Sequence, residues 1–386
     1  MFRKAIRVTA VTALGLLLAA GVVSGKERTE TREFPASPGG TLSFDLDVGG
    51  SIVIEGWDQP KVSVTYEASG DVADRIRVKV EERSEGLKVS SNFDRPRGRG
   101  DAYLEFEIKV PREFNIELKS QGGGLKIDGV TGSFSGKTMG GALTLHDVRG
   151  KAELTTMGGQ IRLSNSELDG YLKTYGGEVY FDDVIGDVKG SSLGGNVKYR
   201  NVVRRDGEMG SPARVSGVEV NGDTVQISTM GGAIEIDEAP EGASLHTMGG
   251  DIRVTDAQRF VSAKTMGGDI VLDAVDGWIE ATTMGGDVEV VLVGDGGDVE
   301  ITSMSGNVNL TIPAGFSAEF DVEIAYTKNS SQDFKVISDF NLKELRTREW
   351  DHDHGSPRKF IRAKGTTGSG EHKVKIKTIN GDVRIR

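Results

Sequence analysis

Three sets of residues have types and spacings that could do chemistry. Asp251, Asp269 and Asp287 each follow a Gly-Gly pair and stand 18 residues apart. Carboxylates stacked at a regular interval repel unless they are solvated or bound to a metal, and oxygen ligands of this kind suit Ca²⁺. The Ca²⁺-binding nonapeptide GGxGxDxUx is nevertheless unmatched, because Ile or Val follows each Asp directly. A turn residue at a solvated corner is the plainer expectation. Asp351-His352-Asp353-His354 is the one local metal-like cluster, with His352 and His354 on one face if the segment is a strand. No third His lies nearby, and the surroundings are polar and irregular, so a solvated loop is expected.

The third set is Met230, Met248, Met266 and Met284, again at intervals of 18. If the threonine before each points inward, the methionine points outward, and the row is an adaptable binding stripe. The alternative is a packed corner stack. Stacked threonine hydroxyls are expected to bond to one another or to backbone. Arg99-Gly100-Asp101 spells an integrin-type tripeptide, but three residues recur by chance.

Catalytic constellations do not assemble. GxSxG, Walker A and HExxH are all missing. Gly98-Arg99-Gly100 lacks the strand-turn-helix setting of a dinucleotide site. With 0 cysteines, disulfides, thiolate metal sites, cysteine nucleophiles and a lipid-anchored cysteine are excluded. No catalytic residue and no cofactor is expected. The net charge of −11 argues against nucleic acid, which needs a basic face. A carbohydrate-active β-helix enzyme acting on envelope or extracellular glycan is the alternative. Such enzymes use clustered carboxylates and aromatic platforms, whereas Trp57, Trp278 and Trp350 are scattered.

These residues are positioned by a repeat. Thr138-Met139-Gly140-Gly141 recurs at 156–159 and drifts to Thr174-Tyr175-Gly176-Gly177 and Ser192-Leu193-Gly194-Gly195. It returns at Thr229, Thr247, Thr265 and Thr283, each followed by Met-Gly-Gly. Gln121-Gly122-Gly123 precedes in phase, Met304-Ser305-Gly306 follows after 20, and Ile379-Asn380-Gly381-Asp382 is a detached copy. The 37-residue step from Leu193 to Met230 reads as a degenerate rung with a bulged loop, around Arg204-Arg205-Asp206-Gly207 and Ser211-Pro212.

Apolar residues alternate on both sides of each corner, as in Val261/Ala263/Thr265 and Ile270/Leu272. Period 2 means strands with one buried face. Glycine suits the corner because sharp turns use φ > 0. One coil cannot bury its own apolar row, so coils must stack. The expected fold is an all-β, single-chain β-solenoid, or β-helix, of about 18-residue coils with a β-rich N-terminal cap.

Residues 1–25 read as a signal peptide: Arg3, Lys4 and Arg7, an apolar run from Val8 to Val23, then small residues before a cut at Lys26. An uncleaved anchor is the rival. Cleavage removes three positive charges and no negative ones, taking the chain from −11 to −14. Residues 26–118 read as the cap, 119–327 as the solenoid of TMGG repeats, and 328–386 as an irregular polar insertion with closing strands. The mature chain is expected to lack a transmembrane segment and to be a monomer.

The corner pattern, Val110-Pro111, the Ile312–Phe316 segment (Ile-Pro-Ala-Gly-Phe) and the final Thr378–Ile385 (T-I-N-G-D-V-R-I) resemble bacterial adhesin-type β-strand-repeat proteins of the DUF4097 family, over about residues 40–386. The resemblance implies a right-handed β-helix that is exported and periplasmic, cell-surface or secreted. It implies no ligand and no catalytic residue. The partner expected is an unidentified envelope polymer or protein.

Overall fold

The alternation becomes two parallel sheets facing each other across one core. The computed structural model describes residues 27–94, 100–203, 213–215, 218–220, 224–330, 333–352 and 356–386. The signal-like segment 1–25 lies outside the described residues. So does the 204–212 loop. Among the described residues there is no α-helix.

Each coil runs along one strand, turns at the Gly-Gly corner, and returns along a second. The strands leading into corners form an approach sheet; those leaving form an exit sheet. Thr131–Thr138 pairs in parallel with Arg149–Thr156, and Leu143–His146 pairs in parallel with residues 161–164, both offset by 18. The β-solenoid is as the repeat predicts. A further turn closes each coil. In four consecutive coils its αL position holds Asp147, Asn165, Asp183 or Asn201, at φ 47–54°. Asp and Asn tolerate that region better than other side-chain-bearing residues.

The core is a double row of Val, Ile, Leu, Ala and Phe. Leu143, Ile161 and Val179 stack in the exit sheet, opposite Leu154 and Leu172. Where Tyr199 brings a bulky ring, Gly190 stands across from it. The Tyr199 hydroxyl accepts from the Gly190 N–H at 2.5 Å, and its ring stacks on Phe181 at 4.8 Å. A Cβ at Gly190 would sit 2.6 Å from Val179.

The corner glycines act differently from expectation. Among them only Gly123 and Gly141 have positive φ. The binding constraint is close approach. A Cβ on the second glycine would strike the carbonyl oxygen of the rung before it, at 2.2 Å for Gly177, Gly250 and Gly268. The first glycine has room: at Gly267 the nearest atom would be 3.6 Å away. Ser305 and Asn380 occupy that first position in the last two corners.

The 37-residue step is a single rung that carries its surplus chain as a loop. Val197 pairs directly with Ile234, and the Met230 N–H donates to the Leu193 carbonyl at 3.1 Å. Part of the surplus chain forms the Ala213–Val215 and Val218–Val220 hairpin outside both sheets.

The sheets also run through the boundary read at residue 118, which falls inside the strand Phe114–Ser120. Gly40–Leu46 and Ser51–Trp57 already form a complete rung, stacked on the one that begins at Phe114. At the other end, Val374 stacks on Val299. Ala318–Thr327 then adds beyond it, so the detached copy is an inner rung. The tail is less irregular than its composition suggests. Arg358–Thr366 is a nine-residue strand, antiparallel to Ala318–Thr327, and buries Phe360, Ile361 and Ala363.

Antiparallel strands end the approach sheet: Ile76–Arg83 at one side, Lys343–Arg346 at the other. Glu27–Pro35 ends the exit sheet at the N-terminal side. These outer strands are rich in charge, which opposes edge-to-edge pairing. Asp45 ties three strands together, accepting from Lys88 and Lys119 at 3.1 Å each. The Lys119 hydrogen bond, then that of Lys88, holds the Asp45 carboxyl below its ordinary value.

Two outcomes are expected in urea unfolding. Gly268→Ala should destabilise by about 1–3 kcal/mol or more from overpacking, while Gly267→Ala stays near wild type; equal losses would refute close approach as the cause. Asp45→Asn should reduce stability at neutral pH. A depressed carboxylate stabilises above its unfolded value and loses that contribution as pH falls through the folded one. The gap between wild type and Asn should therefore close on acidification below about pH 4. A gap that widens in acid would contradict this.

Candidate binding face

The threonine of each repeat points inward and is buried; Thr138, Thr156, Thr174, Thr247 and Thr283 are each 0% exposed. Its hydroxyl does two things. It donates to the second-glycine carbonyl of the preceding corner: Thr247 to Gly232, Thr265 to Gly250, Thr283 to Gly268, at 2.8–2.9 Å. It also accepts from the second-glycine N–H of its own corner, as at Gly268 (3.2 Å) and Gly286 (3.1 Å). Ser192 and Ser303 donate to the carbonyls of Gly177 and Gly286 in the same way. The hydroxyls bond to backbone, not to one another.

With the threonine fixed inward, the next side chain leaves the corner outward. Met230, Met248, Met266 and Met284 are 41–49% exposed. Met139, Met157, Tyr175, Leu193 and Met304 complete a row of nine half-exposed apolar side chains. One member per rung at about 4.8 Å makes a ridge about 38 Å long. Every methionine among the described residues lies in it.

Beside the ridge, the outer face of the approach sheet holds a groove of about 630 Å³. Ser135 and Gly136 line it with Tyr171, Tyr175, Met139 and Met157. The Lys173 ammonium sits 4.7 Å from the Tyr175 ring centroid, a cation–π contact. Tyr171, 46% exposed, escaped the sequence reading. Its phase, three residues before Thr174, was the available signal.

The aspartate column is a backbone ladder. Asp251 Oδ1 accepts from the Asp269 N–H at 2.9 Å, Asp269 from Asp287 at 2.8 Å, and Asp287 from Asn307 at 2.7 Å. These oxygens thus cap the amide of the next rung. Among the described residues, no three of His, Cys, Asp and Glu group so as to hold a metal. His352 is exposed; His354 lies outside the described residues. So does Arg99 of the RGD tripeptide.

The tryptophans stand apart. Trp278 stacks on Phe260 at 5.0 Å, Trp350 meets Tyr326 edge-on, and Trp57 Nε1 donates to the Lys61 carbonyl. None of these contacts joins two tryptophans into one platform. Among the described residues, no helix is long and apolar enough to cross a membrane.

Comparison with known proteins bears on the fold. The family model described as Toastrack DUF4097 matches residues 41–386. No curated protein matches the chain. Among solved structures, a "putative cell adhesion protein" from Clostridium sporogenes is 10% identical, with 92% of this chain and 98% of that one covered, at TM-score 0.18. A "putative lipid binding protein" from Parabacteroides distasonis is 14% identical, with 73% and 96% covered, at 0.26. A "putative adhesin" from Parabacteroides merdae is 12% identical, with 74% and 96% covered, at 0.21. Likeness at these scores carries no argument about function.

The corner ladder yields a direct test. Thr265→Val keeps the shape but strands the Gly250 carbonyl and the Gly268 N–H. It should cost about 1–3 kcal/mol, whereas Thr265→Ser should stay close to wild type. Thermal unfolding of both decides; a Val variant as stable as the Ser variant would show that the hydroxyl is idle.

Proposed function

The chain belongs to the Toastrack DUF4097 family, and from that premise we propose that it is an exported, non-enzymatic binding protein of the adhesin kind. It holds an envelope polymer or envelope protein along the methionine ridge and the adjoining groove. Its place of action is the periplasm, the cell surface or the extracellular medium. It acts as a monomeric rod.

One observation carries this reading. Nine half-exposed apolar side chains form one line on a frame that could have placed polar residues there. Soluble proteins rarely expose contiguous apolar surface without a use for it. Tyrosine and methionine suit the role, the first as a rigid amphipathic contact and the second as an adaptable one. The groove offers a polymer the Tyr171 and Tyr175 rings beside the polar Lys137 and Thr155. The charged outer strands at the ends oppose end-to-end assembly and leave the flank as the working surface.

The test is co-sedimentation of the purified 26–386 protein with isolated envelope fractions, in Ca²⁺ and in chelator. Wild type should pellet with one fraction. Tyr171→Ser/Tyr175→Ser/Met157→Gln should lose about tenfold in affinity or more while unfolding as wild type does. Absence from every pellet, or equal pelleting of the triple variant, would overturn the reading.

A further inference from the structure

Apolarity accounts for a ridge but not for its being methionine. Among the described residues the core contains no methionine; it is built from Val, Ile, Leu, Ala, Phe and Tyr. Every methionine among the described residues stands instead at one exposed position of the coil. Tyr175 and Leu193 occupy the same position, so the corner accepts other apolar side chains. What methionine adds there is a thioether sulfur.

Met230, Met248, Met266, Met284 and Met304 occupy five successive rungs without interruption. Neighbouring members are one strand spacing apart, about 4.8 Å. A metal–sulfur bond of about 2.3 Å, the zinc–thiolate length, puts two sulfurs up to about 4.6 Å apart across one ion. The two lengths agree without any movement of the backbone. Three rotatable bonds let each sulfur swing toward its neighbour. The hydroxyl ladder beneath holds the corners in register, so little has to be ordered on binding.

An imidazole stands in the same place. His246 lies two residues before Met248, on the outward side of its strand, and is exposed. Its ring makes no hydrogen bond or ion pair with the described residues. The nearest cation in register is Lys264, and Glu280 engages that ammonium at 2.8 Å. Thioether sulfur with imidazole nitrogen is a soft donor set. It favours Cu(I) and ions like it over Ca²⁺ or Mg²⁺, which take oxygen.

We propose that Met230, Met248, Met266, Met284 and Met304, with His246 beside them, form a linear binding site for soft monovalent cations, Cu(I) or its analogue Ag(I). The site shares the ridge with the proposed envelope partner but lies outside the Tyr171 groove, and it stands whether or not that partner binds. No electron transfer is involved: the ion arrives and leaves in its reduced, monovalent state.

The experiment is calorimetric titration of the purified protein with Ag⁺ in chloride-free buffer. It is paired with competition for Cu(I) against a coloured Cu(I) chelator under reductant, with Ca²⁺ as the control. Wild type should bind more than one Ag⁺ and compete for Cu(I). Replacing all five methionines with leucine keeps size and apolarity, and Leu193 shows that the corner tolerates the change. That variant should weaken binding by about tenfold or more with an unchanged unfolding temperature. His246→Ala should weaken the tightest ion and spare the rest. Failure of Ag⁺ to bind wild type, or equal binding by the leucine variant, would overturn the site. Envelope co-sedimentation of that leucine variant separates the two ideas. Binding of envelope with loss of Ag⁺ marks a thioether site distinct from apolar docking.

Discussion

Each corner lies in close contact with the next. There the second glycine of a rung lies against the carbonyl of the rung before it, with no space for a methyl group. A buried carbonyl so placed must still find a donor. The inward threonine supplies it and takes the N–H of its own corner in return. One hydroxyl therefore closes the turn within a rung and joins it to its neighbour. Threonine two residues before a glycine pair is thus a matched unit. The glycine permits contact, and the hydroxyl satisfies what the contact buries.

Everything outward follows from that unit. Strand alternation leaves the residue after the threonine no choice but to face solvent. The same logic sets the aspartate column, where each side chain caps the amide of the next rung. Both columns are one residue type repeated along an axis, yet they serve opposite ends. The aspartates are consumed by backbone hydrogen bonds and belong to the frame. The methionines are consumed by nothing and remain available.

The period, the two strands per coil and the inward face were all readable from sequence, because the corner demands the same residues every time. Thr265 and Gly268 are recognisable without any structure. The reason for Gly268 was not, since proximity and positive φ leave the same letter. The Leu193–Met230 step was legible as a rung with a loop, but only the Val197–Ile234 pairing shows that the chain leaves the sheets and comes back in register. Arg358–Thr366 stayed hidden because it pairs antiparallel at the end of the rod, where no repeat constrains it. Tyr171 was hidden by being a single departure in a column otherwise held by Ser135 and Glu153.

The hairpin-bearing rung and the stacked last copy share one trait: the sheets do not register how much chain separates neighbouring coils. Their hydrogen bonds run along the rod axis, rung to rung. A pull applied between the two ends would thus load those bonds in sequence rather than side by side. The end coil would yield first and the next would then carry the strain. Each ordinary coil would release about 60 Å of extended chain. A molecule fastened to a surface by its flank would feel little of this. One held by its tips would give way in steps, spending mechanical work coil by coil as an extensible tether does.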